Sequence, residues 1–300
     1  MEQSNRDHLA RALWTVFEPI HAVSYFSPQA REAFAAVGLT RFWDGYFAGR
    51  SAPLGAVSGA PVTAMFCNFA PAFVERAVPA VWATASVDTV LEARLIGAET
   101  TLRSFFDDED AVAAAADLLQ SAADAADTIG RPLAAGNQAQ PRHDDPYRRI
   151  WQAAGTLREH RGDGHVIALV NEGIAGLSAI VLRSGVDLDA TMLLKARGWT
   201  EEQWQAERNA LRSRGLIDAD GRATAAGRDA VDRAELLTNR LALSPWEQFD
   251  DADLRRVATV ALPIARSVSS LYPYPNPIGM PESWDAAADP AAATVPAAIS

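Results

Sequence analysis

Apolar residues recur at three- and four-residue spacing through most of the first 128 positions, and this period predicts helices over residues 9–25 and 87–106. Ser27-Pro28 supplies an N-cap followed by proline at the first helical position, and Ala70-Pro71 opens a helix in the same way. The stretch GRSAPLGAVSGAP at 49–61 is dense in Gly, Ser and Pro and reads as a loop, crossing tightly over neighbours or letting a ligand approach its backbone. Residues 107–127, rich in Ala and Asp, predict a helix with a solvated face over a thin apolar stripe. The period disappears over residues 131–146, which read as a linker. A helix restarts near Tyr147, is expected to break at Arg161-Gly162-Asp163-Gly164, and resumes at His165 with the nearly all-apolar run VIALVNEGIAGLSAIVL.

The stretch at 199–240 carries the densest set of local signals. Thr200 and Gln203 form a capping box, and Trp204 and Leu211 lie seven apart on one face of the helix it opens. Gly215 ends that helix. Leu216-Ile217 and Arg222-Ala223 flank an Asp220-Gly221 turn and predict a two-stranded wing, after which Thr224 caps a long helix running to about Leu243. These are the parts of a winged helix-turn-helix.

The chain also carries FEPIHAVSYF at 17–26, GYFAGRSAPLG at 45–55 and REHRGDGHV at 158–166. On these motifs it resembles an actinobacterial family of helix-turn-helix proteins over roughly residues 10–280. The resemblance implies a fold and leaves the activity open. The expected architecture is mainly α: a helical N-terminal lobe at 1–130, a linker at 131–146, a winged-helix lobe at 147–272, and an extended or disordered tail at 273–300. The first lobe repeats an order of aromatic, capped helix start and aromatic (Phe69, Pro71 and Phe73 against Trp199, Thr200 and Trp204), which reads either as a degenerate winged-helix repeat or as the generic look of such segments.

Charge alters this picture. The formal net charge is -11 and the pI about 4.9, so the molecule as a whole repels phosphate backbones and acidic membranes. Residues 195–240 hold nine basic and eight acidic side chains, a net of +1, which is thin for a duplex reader. Nucleic acid is therefore an unfavoured partner, though still a candidate one. The N-terminal MEQSNRDHLA has no secretory pattern, and a single cysteine suits a reducing compartment; a cytoplasmic, non-membrane protein is expected. Cys67, among apolar neighbours, reads as an inert thiol.

Several residues are candidates for chemistry. His165 at a helix start would have its pKa lowered by the helix dipole, with Asp163 to orient it and Arg161 to hold an anionic group; the competing assignment gives Asp163 a capping role. Glu18 and His21 share a helical face, but one Glu-x-x-His pair is too little for a metal, so no metal site is assigned and the alternatives are an ion pair of Glu18 with an arginine or a polar ligand pocket. Trp43 and Tyr46 with Arg50 and Asn68 would make a pocket wall for an apolar or aromatic molecule, with core packing as the alternative. No phosphate-loop, dinucleotide, nucleophile-elbow or zinc-protease motif is present, and no cofactor is indicated. The favoured function is small-molecule binding, extending to a metal-independent acid–base enzyme with His165, Asp163 and His21 in the catalytic roles. The alternatives are a ligand-responsive winged-helix transcriptional regulator and a protein that uses the module to form a homodimer.

Overall fold

The computed structural model describes residues 2–276 and 278–284. Helix α1 (Glu2–Phe26) runs through Pro19, and α2 (Pro28–Ala36) starts where the Ser27 hydroxyl accepts from Ala30 N at 3.0 Å. Helix α3 (Phe42–Ser51) passes into a 3-10 turn (Ala52–Leu54) and α4 (Gly59–Phe66) follows closely, so the expected loop at 49–61 shrinks to residues 55–58. Two short helices, α5 (Pro71–Val74) and α6 (Val81–Thr84), lead to α7 (Val87–Phe105) and α8 (Glu109–Asp124), whose N-caps are Ser86 and Asp108. The small residues Ala115, Ala116, Ala122 and Ala123 of α8 are buried and let it lie close to the long α10 (Pro146–Asn171).

The stretch expected to be a linker instead holds α9 (Pro132–Gln138), with Leu133, Ala134 and Asn137 buried. One apolar pair in seven residues gives no readable period, and the cap of this helix comes from far along the chain: Ala134 N donates to Asp163 Oδ2 at 3.0 Å. The expected break in α10 is also absent. Helical glycine costs about 1 kcal/mol relative to alanine. Packing offsets this at Gly164, where a Cβ would stand 2.6 Å from the Arg131 guanidinium, which passes there to donate to the carbonyls of His160 and Leu241.

Helices α11 (Leu177–Ser184), α12 (Ala190–Arg197) and α13 (Glu201–Ser213) occupy the stretch expected as the helix-turn-helix and keep that label, and α14 (Ala225–Leu241) and α15 (Asp251–Ser267) follow. Both arms of the Thr200–Gln203 capping box are made, and Thr224 caps α14. The two strands of the expected wing are not formed: among the described residues there is a single antiparallel bridge, Ile217 to Ala223, and no strand. The bridge is closed by Asp218 N to Arg222 O at 2.9 Å and Thr224 N to Leu216 O at 3.0 Å, with the outward-facing Ala223 N donating to Gly185 O; it extends no further because Thr224 commits the chain to α14.

Three cores result. One joins α1, α7, α8, α10 and α15, a second fills α2–α7, and a third holds the helix-turn-helix against the end of α10 and α14. Because α15 packs on α1, the first core draws on both halves of the chain and does not follow a division at 131–146. The tail packs down as far as it is described, with Met280 buried and Trp284 against the first core; residues 285–300 lie outside the described residues. Among the described residues no helix is long and apolar enough to cross a membrane.

Candidate functional site

Where the helix-turn-helix meets the body, a cavity of about 200 Å³ opens, lined from α3, α4, the 67–69 segment, α9, α10, α11, α12, α14 and the tail. A second chamber of about 150 Å³ shares with it Arg158, Gly162, His165, Arg183 and Glu235, and is closed by Arg11, Trp14, Glu18 and Arg161. The inner chamber has apolar lining from both sides (Leu169 of α10, and Ile174, Ile180 and Leu193 of the helix-turn-helix side) and polar lining from α10 (Arg158, His165) and from Arg183 and Arg197 of α11 and α12. Arg158, Gly162, His165 and Leu169 recur at three- and four-residue spacing, so the uninterrupted α10 presents them as one stripe.

His165 stands where the chambers meet. It lies inside α10 and not at a helix start, so burial, more than any dipole, lowers its pKa, to about 4. Its Nδ1 is 2.9 Å from the Thr238 hydroxyl, whose own proton goes to Ala234 O at 2.7 Å. Thr238 therefore accepts, Nδ1 carries the hydrogen, and Nε2 is left with a lone pair. Asp163 has no part in this arrangement. It turns the other way on α10 to cap α9, and burial raises its pKa to about 7. Arg161 is also committed within the protein, to Asn239 Oδ1 at 2.9 Å and to Glu235, which takes Arg11 as well.

The residues expected on the aromatic wall divide. Tyr46, Arg50 and Asn68 line the cavity, whereas Trp43 turns into the second core against Phe73 and Phe69, with ring centroids at 5.0 and 5.7 Å. Arg50 lies 3.9 Å above the Phe66 ring, donates from Nη1 to the Tyr46 hydroxyl, and grips Glu159 with two bonds of 3.0 and 2.9 Å. Glu159 also accepts from Arg158, which reaches Glu18, which in turn accepts from Trp14 Nε1. Burial alone would raise the Glu159 pKa; Arg158 and then Arg50 hold it at about 2. His21 lies behind this chain and off the main cavity, beside a separate space of about 20 Å³, the room of roughly one water. It stacks on Trp151, meets the Tyr25 hydroxyl at 2.8 Å, and burial lowers its pKa to about 3. Glu18 and His21 therefore part company: the first reaches the outer chamber and the second does not.

Sequence reasoning missed Arg158, Glu159, Arg183, Arg197 and Glu235. The first two stand inside REHRGDGHV, and reading that motif as helix instead of turn would have put Arg158 on the His165 face. Arg197 ends α12 inside the helix-turn-helix, yet it is buried and points into the cavity, donating from Nε to Asn68 Oδ1 at 2.9 Å. The helix-turn-helix is fastened to the body at this corner: Ala70 N donates to Arg197 O, Trp199 Nε1 to Asn68 O, and Gly176 N to Cys67 Sγ. Burial raises the Cys67 pKa, which makes it a poor nucleophile.

A family model described as a helix-turn-helix family matches residues 10–273, nearly the whole described fold. The chain belongs to this family. The match extends through α1–α10 as well as α11–α14, so the cavity lining other than Ile278 and Gly279 lies inside the family's span. No curated protein and no solved structure gives a significant match.

Proposed function

We propose that this helix-turn-helix family member binds an apolar small molecule in the cavity between its body and its helix-turn-helix, as a cytoplasmic protein. The observation that carries this reading is the composition of the wall: helices from both parts contribute apolar and polar lining, around a space larger than the ~150 Å³ that admits a benzene ring. His165 Nε2 is an acceptor for a ligand hydroxyl or N–H. Neutral at pH 7, it has the form a general base needs, so acid–base turnover without a metal extends the same reading. Arg50, Tyr46 and Asn68 fix the ligand from the opposite side. Asp163, His21 and Trp43 have no direct role, and Arg161 acts through Glu235.

Ligand-responsive gene regulation is the second reading, favoured by the family and by the outward face of α13. The Ile217–Ala223 bridge, joined to Gly185, would then serve as a minimal wing. Against it, Glu201 and Glu202 sit at the start of α13, Arg208 is held by Asp220 O, and Arg214 by Gly173 O.

Native mass spectrometry of the protein purified from its own host tests the first reading. A retained small molecule that is lost in His165→Ala is expected; a bare wild-type chain that no compound in a broad metabolite library stabilises against heat would refute it. Fluorescence anisotropy with random-sequence duplexes at low salt separates the second. Sub-micromolar, steeply salt-dependent binding would establish DNA as a partner.

A further inference from the structure

We infer that the ligand is an apolar acid, a hydrocarbon or aromatic body bearing one carboxylate, with that carboxylate held by the arginines of the cavity wall. This rests on the small-molecule reading above and adds the charge of the ligand.

Arg50, Arg158, Arg183 and Arg197 line the inner chamber, and Glu235 is its one lining carboxylate among the described residues. Behind the wall, Glu159 pairs with Arg50 and Arg158, Glu18 with Arg158, Asp187 with Arg183, and Glu235 with Arg11 and Arg161. Among the described residues these pairs hold five guanidiniums and four carboxylates, an excess of one positive charge inside a chain of net charge -11. Gathering cations in the interior of an acidic protein carries a desolvation cost that an anionic ligand offsets. The guanidinium fork matches the planar carboxylate in shape as well as charge.

The rest of the wall limits what the acid is attached to. Met65, Leu169, Ile174, Ile180 and Leu193 offer no hydrogen bonds, so a sugar or nucleotide would leave its polar groups unpaired there. The acceptor at His165 Nε2 adds a place for one donor on the body of the ligand. Arg183 lines both chambers and is about one-third exposed, which puts it where an arriving anion is first met.

The test uses the full chain and matched sets of one- and two-ring compounds, each as carboxylic acid, primary amide and phosphate monoester, with affinities from isothermal calorimetry on the wild type and on Arg183→Gln. Acids are expected to bind at least about tenfold more tightly than their amides, and Arg183→Gln to weaken the acids by about tenfold while leaving the amides unchanged. That selective loss separates a charge contact from damage to the fold. Amides binding as well as acids, or phosphate monoesters binding best, would overturn the acid while keeping the cavity as a small-molecule site. No binding by any set would count against both.

Discussion

At the residue scale, Glu159 organises the polar side of the cavity, because one carboxylate answers Arg50 twice and Arg158 once in a dry setting. Removing its charge takes away the carboxylate partner of the buried Arg50 and leaves Arg158 with Glu18 alone, the circumstance in which a buried pair matters most. Glu159→Gln is expected to destabilise the protein by roughly 3–5 kcal/mol, measured by urea unfolding with m unchanged. A loss below about 1 kcal/mol would show the network to be solvated. Sequence reasoning brought His165, Arg50, Tyr46 and Asn68 to one cavity but could not orient Asp163, since the backbone N–H it caps belongs to a helix with no periodic signal of its own. It could not see that of Trp43 and Tyr46, three apart on α3 and packed on one another, only Tyr46 reaches the cavity.

Elements whose signals lie within a few residues were legible. Ser27-Pro28, the Thr200–Gln203 box and the Thr224 cap stand where local chemistry put them, because each satisfies its own helix terminus. Elements decided by distant groups were not: α9 needs Asp163, and continuous α10 needs Arg131 beside Gly164. The joint between helix-turn-helix and body is such a case. Gly198 follows α12 at φ +72°, where a Cβ would meet Phe73 at 2.2 Å, so both the backbone and the close approach call for glycine. Gly198→Ala is expected to cost roughly 2–5 kcal/mol, from about 1–2 for the left-handed backbone and 1–3 for overpacking. Hydrogen exchange should show α12 and α13 loosening first; protection unchanged in both would mean that the corner is not a tight fastening.

For the whole molecule, buried histidines set the acid limit. Burial holds His21 and His160 near pKa 3 and His165 near 4, against 6.5 when unfolded, so the stability tied to their neutral forms is complete above pH 6.5 and is lost as pH falls toward the folded values. Asp163 works the other way: raised from 3.8 to about 7, its contribution is complete below 3.8 and is lost as pH rises toward 7. Near pH 5.5 the three histidines outweigh it, and unfolding takes up about two protons, a slope of up to roughly 2.5 kcal/mol per pH unit. Urea midpoints between pH 6.5 and 5 should fall accordingly, and a flat profile would mean that these imidazoles are already charged in the native state.

The packed tail gives the molecule a schedule of manufacture. Tyr272 donates to Pro19 O across 253 positions, and Ile278 and Gly279 complete the walls of both chambers. A ribosome has therefore emitted nearly all of the described chain before α1 gains its final partners and before the last stretch of both chamber walls is in place. On the reading proposed above, a ligand would meet the complete set of wall residues only once the tail has packed down.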